Sequence, residues 1–141
     1  MIKKLKLHEK QWKVFSDSAR FIVLVAGRRF GKTILAITDL IASAWNNPKS
    51  RSWYISPTYR QSEMIAWKML LEMVPKEAII KKDETRLEVN LSNGSEIALK
   101  GADNEDALRG AGLNFVVLDE YAQIKQNVWQ EIIRPMLTDT K

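Results

Sequence analysis

Between Ala26 and Thr33 the chain reads Ala-Gly-Arg-Arg-Phe-Gly-Lys-Thr, a small residue, a four-residue spacer and then Gly-Lys-Thr. An apolar run, Phe21–Ala26, leads into it and a helical pattern, Lys32–Trp45, leads out. Strand, loop and helix in that order are the context of a phosphate-binding loop. A turn of this kind points successive backbone N–H groups inward as an anion nest. The helix starting near Lys32 adds the positive end of its dipole. Gly27 and Phe30 belong to the cradle, and Gly31 lets the backbone approach a phosphate. Lys32 reaches the β and γ oxygens of ATP, and the Thr33 hydroxyl can ligate Mg²⁺. The strict pattern begins with Gly where this chain has Ala26. Arg28 and Arg29 admit two readings. They are solvated loop charges, or a planar cation sits near the γ-phosphate and stabilises developing charge.

A second group lies far along the chain. Phe115–Leu118 is apolar and ends in two adjacent carboxylates, Asp119 and Glu120. In an open parallel sheet, ligands bind at the carboxyl ends of strands. Asp119 would then hold Mg²⁺ through its water shell, and Glu120 would orient and deprotonate an attacking water. The competing reading is a helix-start acid pair. Gln11 precedes Gly31 by 20 residues. Its amide could pair with the N6 and N7 edge of adenine, or it is an ordinary surface Gln.

These groups need elements to hold them. His8–Phe15 reads as a short helix, with Trp12 and Phe15 on one face read as core. Phe21–Ala26 has the Val/Ile content of a strand buried on both faces. Lys32–Trp45 carries Ile34, Ile37, Ile41 and Ala44 on one stripe and ends at Asn46-Asn47-Pro48. Ser52–Ser56 is a strand closed by Pro57. Thr58 could cap a helix Arg60–Met73, stopped by Pro75. Arg86–Leu91 and Glu96–Lys100 flank Ser92-Asn93-Gly94-Ser95, a hairpin signal. Val128–Leu137 is a last helix, interrupted at Pro135. Strands alternating with helices imply an α/β fold with a mainly parallel sheet flanked by helices and an inserted β-hairpin.

Composition agrees with one domain over residues 1–141, since the chain is 45% apolar and can bury a core. Without cysteine there is no disulfide framework or Cys-ligated metal site. A single histidine, His8, does not make a His-based one. The net charge of +5 permits a nucleic-acid partner without proving one. Residues 1–20 carry six Lys/Arg against Glu9 and Asp17, while residues 103–120 carry five acids against Arg109. The longest apolar run has six residues, which excludes a membrane span. The basic start lacks the apolar core of a secretory signal, so the expected location is cytoplasmic.

Taken together, these residues resemble the ATPase domain of a tailed-bacteriophage terminase large subunit, which packages DNA into a capsid. The resemblance rests on Gly27-Arg28-Arg29-Phe30-Gly31-Lys32-Thr33, on Leu108-Arg109-Gly110, and on Val116-Val117-Leu118-Asp119-Glu120-Tyr121-Ala122. Gln11 and Trp53–Arg60 fit it too. It implies a P-loop NTPase of the additional-strand, catalytic-Glu type, with ATP and Mg²⁺ as cofactors. It places Arg109 as a finger into a neighbouring subunit's site, against the plainer reading of an Asp106–Arg109 surface pair. It implies double-stranded DNA, a portal or capsid, a small terminase subunit and a homo-oligomeric ring as partners, inside a bacterial host. It also implies a further coupling strand and a nuclease domain. Neither is legible here, so the sheet is expected to lack its central strand and C-terminal strands, as in a truncated product. Two other readings remain open: a helicase-type ATPase that remodels nucleic acid, and a non-catalytic module that binds nucleotide or DNA.

Overall fold

The computed structural model describes residues 7–110 and 112–138. Lys3, Lys4 and Lys6 of the basic start lie outside the described residues. Helix α1 (Glu9–Phe15) opens on a capping box in which His8 Nδ1 accepts the Gln11 N–H and the Gln11 side chain accepts the His8 N–H. Helix α2 (Lys32–Asn46) follows the loop. Strand β1 (Arg51–Ser56) leads into helix α3, residues 59–73. Thr58 caps α3 as expected, its hydroxyl accepting the Gln61 N–H at 3.2 Å. Strands β2 (Ile79–Asp83), β3 (Glu88–Leu91), β4 (Glu96–Gly101) and β5 (Phe115–Leu118) complete the sheet. Helix α4 covers residues 128–138, with wider π turns over Val128–Ile133 just before Pro135, which has no N–H to give.

The strand order is β2-β3-β4-β1-β5. β1 pairs parallel with β4 and with β5, while β3 pairs antiparallel with β2 and β4. The sheet is therefore mixed rather than mainly parallel. Strand β2 has no signal in the sequence: its exposed Ile80-Lys81-Lys82 lacks the apolar alternation that marks a strand. Side chains of β1 alternate between faces. Tyr54 joins Ile37, Leu40, Ile41, Leu70 and Leu99 on the face covered by α2 and α3. Trp53 and Ile55 join Leu108, Leu113, Val128 and Ile133 on the face covered by α4.

Three expectations need correction. Phe21–Ala26 is not a strand: it pairs with nothing in the sheet, and Val23 and Val25 are 89% and 92% exposed. Apolar β-branched composition favours extended backbone, but a strand exists only where a ladder partner meets it. The Phe21 ring instead stands edge-on to Trp129 at 5.9 Å, beneath the Arg20 guanidinium. Ile34 points away from the core at 43% exposed, because α2 buries the stripe Ile37, Leu40, Ile41 and Ala44. Trp12 is likewise 43% exposed, its ring perpendicular to that of Phe15 at 5.5 Å.

Asp39 sits half-buried on α2, and burial pushes its carboxyl up to about 6 from 3.8. The folded form therefore holds a proton that the unfolded chain has lost between those values, so stability falls as pH rises through this window. Asp39→Asn is expected to match the parent near pH 4. Near pH 7 it should gain about 1 kcal/mol, after allowing for partial solvent screening. Urea melts at the two pH values check this.

Candidate phosphate-loop and acid-pair site

The loop is built by one left-handed residue. Gly27 opens a single tight turn over Arg28–Phe30, where the Phe30 N–H meets the Gly27 carbonyl at 3.1 Å. Gly31 then takes φ 81°, ψ 45° and becomes the N-cap of α2 without any side-chain acceptor. The first-turn N–H groups of α2, those of Lys32, Thr33 and Ile34, have no partner within the helix and lie at the positive end of its dipole. A side chain at position 31 would be strained by φ, and its Cβ would stand 2.6 Å from Gln11 Nε2. Gly31→Ala is expected to cost about 1–2 kcal/mol of stability in a denaturant melt.

Gln11 does reach the loop, and it does so through the backbone. Its Nε2 donates to the carbonyls of Phe30 at 3.0 Å and Gly31 at 3.1 Å. His8 Nε2 donates to the same Phe30 carbonyl at 2.8 Å. Arg29 is exposed, as is Gly27, and Phe30 packs its ring edge-on to His8 at 5.1 Å.

The far end of α2 is tied to the sheet. Asn93 Nδ2 donates to the carbonyls of Ala44 and Trp45, and Ser95 Oγ donates to the Asn47 carbonyl. These bonds fix the C-terminus of α2 at the amino ends of β1 and β4. A 15-residue helix is about 22 Å long, close to the length of β1. Between its ends α2 packs on β1, β4 and β5, with Lys32 and Thr33 in its first turn. Asp119 and Glu120 leave β5 at the carboxyl end of the parallel strands.

Asp119 is held from two sides. Its Oδ2 accepts the Tyr54 hydroxyl from β1, and its Oδ1 accepts the Glu120 N–H at 2.9 Å. Burial first, then the hydrogen bond to Asp119 and the charges of Asp119 and Glu120, push the Tyr54 hydroxyl far up. Tyr54 stays a donor at any working pH. Glu120 is exposed and adopts left-handed φ 51°, ψ 48°, a conformation costly for a residue with a Cβ. Glu120 thus leaves the extended line of β5, while the Asp119 carboxylate is hydrogen-bonded to Tyr54 and to the Glu120 N–H.

Arg109 is exposed at the end of the short turn Glu105–Leu108, just before Gly110 with φ 86°. Its N–H reaches the Asp106 carbonyl at 3.4 Å, and among the described residues the two side chains form no ion pair. The structure thus gathers the loop residues around Gln11 and His8, holds Asp119 against Tyr54 at the carboxyl end of β5, and leaves Arg109 on the surface. A hollow of ≈ 590 Å³ beside Tyr59, Arg86, Lys100 and Asp103 contains none of these residues. Sequence reasoning missed Tyr54 and His8. Only the need of a buried tyrosine hydroxyl for a partner could have pointed to Tyr54.

Thr33 and Asp119 offer oxygen donors, the kind a hard cation takes. Among the described residues, no three His, Cys, Asp or Glu side chains gather as a metal cluster. A Mg²⁺ here would complete its shell with water and phosphate. No helix among the described residues is long and apolar enough to cross a membrane.

Comparison with known proteins gives a consistent picture. Residues 23–140 match the family described as terminase large subunit, T4likevirus-type, N-terminal. The large terminase subunit of Thermus phage G20c is 31% identical over 94% of this chain, as is that of Thermus virus P23-45. The chain spans 31% of the length of each. Among solved structures, the large terminase ATPase domain of Thermus phage P74-26 superposes with a TM-score of 0.85 at 32% identity. That match covers 95% of this chain and 61% of the other. The large terminase of another thermophilic bacteriophage, at 16% identity and a TM-score of 0.73, shares the fold over 96% of this chain and 36% of its own.

Proposed function

This chain belongs to the terminase large-subunit family, in its N-terminal part, and from that premise we propose that it is a P-loop ATPase domain of a DNA-packaging motor. What supports the proposal is a left-handed Gly31 that opens α2 with Lys32 and Thr33 in its first turn, together with Asp119-Glu120 leaving β5 at the carboxyl end of the parallel strands. Bound Mg²⁺–ATP would supply the phosphoanhydride and part of the charge neutralisation.

The chain's own groups divide the rest. The N–H groups of the loop and the Lys32 ammonium bind the phosphates, while Arg28 and Arg29 lend planar positive charge near the terminal one. Thr33 and Asp119 would hold the cation, and the fixed Tyr54 donor orients the Asp119 carboxylate. Glu120 takes the proton of the attacking water. Arg109, on the surface, acts on nucleotide bound by a neighbouring subunit in a homo-oligomeric ring. Double-stranded DNA held without sequence preference, a portal or capsid, and a small terminase subunit are the partners this function requires, inside the bacterial host.

The matches above are to large terminases, which favours neither a helicase-type remodelling ATPase nor a non-catalytic binding module. Titration with Mg²⁺–ATP followed by a phosphate-release assay tests the proposal. Saturable binding with release supports it, and binding without release in the assembled full-length enzyme returns the binding module.

A further inference from the structure

We infer that Tyr54 sets the cation preference of this site. By occupying Oδ2 of Asp119 it leaves one carboxylate oxygen, Oδ1, for a divalent cation or its water shell, and so favours Mg²⁺ over Ca²⁺. The inference rests on the proposed role of Asp119 in holding the cation and adds which cation is held. The sheet prepares the contact. Tyr54 stands opposite Val117 in the parallel pairing of β1 with β5. The ladder runs on to Asp119, whose N–H meets the Ile55 carbonyl at 2.9 Å. Asp119 follows Val117 by two residues, so its side chain leaves the face that Tyr54 occupies. A tyrosine is long enough to span that diagonal, and its hydroxyl donates to Asp119 Oδ2.

Burial decides which oxygen is left. Tyr54 is 1% exposed, its ring in the cluster of Ile37, Leu40 and Leu99 under α2 and α3. Its partner oxygen, Oδ2, is therefore turned toward the interior. Asp119 itself is only half-buried, and Oδ1 accepts the Glu120 N–H at 2.9 Å. A carboxylate oxygen has room for more than one partner, so Oδ1 can still meet a cation or its water. The hydroxyl is a lasting donor, because burial first, then the bond to Asp119 and the two carboxylate charges, keep its proton on. Chelation by both oxygens of Asp119 would break that buried bond. Ca²⁺ takes about six to eight oxygens and often both of one carboxylate, whereas Mg²⁺ keeps a tight octahedron rich in water. A carboxylate with one oxygen on offer suits Mg²⁺.

Tyr54→Phe keeps the ring and removes only the donor. Calorimetry with a non-hydrolysable ATP analogue gives the affinities of its Mg²⁺ and Ca²⁺ complexes for the parent and this variant, with the thermal midpoint as the check on folding. The parent is expected to prefer the Mg²⁺ complex. In Tyr54→Phe the ratio of the two affinities should shrink by roughly tenfold, the effect of one hydrogen bond to a charged group. In an Asp119→Asn background the same substitution should leave the ratio unmoved, because Tyr54 acts through that carboxylate. Infrared difference spectra of the parent's Mg²⁺ complex, taken against Asp119→Asn, need no Tyr54 variant. They should lack the narrow band splitting of a chelating carboxylate. An unchanged ratio in Tyr54→Phe, a shift that persists in Asp119→Asn, or a chelating signature in the parent overturns the inference and leaves nucleotide binding by the loop standing. A parent that binds neither complex overturns the phosphate-loop reading itself, and this inference with it.

Discussion

Glu120→Gln in the assembled full-length enzyme is expected to leave Mg²⁺–ATP affinity within about twofold while phosphate release falls by ~10²–10⁴-fold, the range a positioned general base supplies. The separation of the two effects follows from the geometry. Asp119 is engaged by the Tyr54 hydroxyl and by the Glu120 N–H, whereas the Glu120 carboxylate is exposed beyond a left-handed turn. Gln keeps the shape and the backbone N–H that Asp119 accepts. It cannot take a proton from water. Asp119→Asn should behave differently, weakening Mg²⁺-dependent binding itself. A Glu120→Gln enzyme that turns over at the parental rate would remove Glu120 from the chemistry.

Arg109 offers the second large effect. It projects from the surface turn after Leu108 and has no ion pair with Asp106. If it completes a neighbour's site, Arg109→Ala leaves binding per subunit intact and lowers hydrolysis by an assembled ring by ~10³–10⁵-fold. Mixing inactive Arg109→Ala subunits with inactive Glu120→Gln subunits should then restore part of the rate. In such a mixed ring some interfaces join an intact Arg109 to an intact Glu120. The ATPase rate of the mixture against each variant alone is the measurement. A mixture no faster than its parts would place Arg109 within its own chain and leave the phosphate loop untouched.

Local chemistry made much of this legible from the sequence. The Asn93-Gly94 turn, the Thr58 cap and the Gly31-Lys32-Thr33 junction each demand particular residues, and each stands where the residues put it. What failed depended on partners far along the chain. Phe21–Ala26 has the side chains of a strand and no ladder to join, so composition alone misjudged it. Ile79–Asp83 has the opposite character: charged and exposed, it is a strand because β3 lies beside it. The partners of Gln11 and Tyr54 were invisible for the same reason. A carboxamide 20 residues upstream meets the loop, and a hydroxyl 65 residues from Asp119 meets its carboxylate, only after folding.

Whether residues 27–33 bind the phosphates of a nucleotide is decided by calorimetric titration of Mg²⁺–ATP into the parent chain and into Lys32→Ala. A saturable isotherm is expected for the parent, and a loss of affinity of at least roughly tenfold for the variant, because the proposed site has a single ammonium to reach the β and γ oxygens. The thermal midpoint of the ligand-free variant should stay close to that of the parent, so that lost binding is not lost fold. Equal affinity in the two proteins would contradict the assignment of the loop.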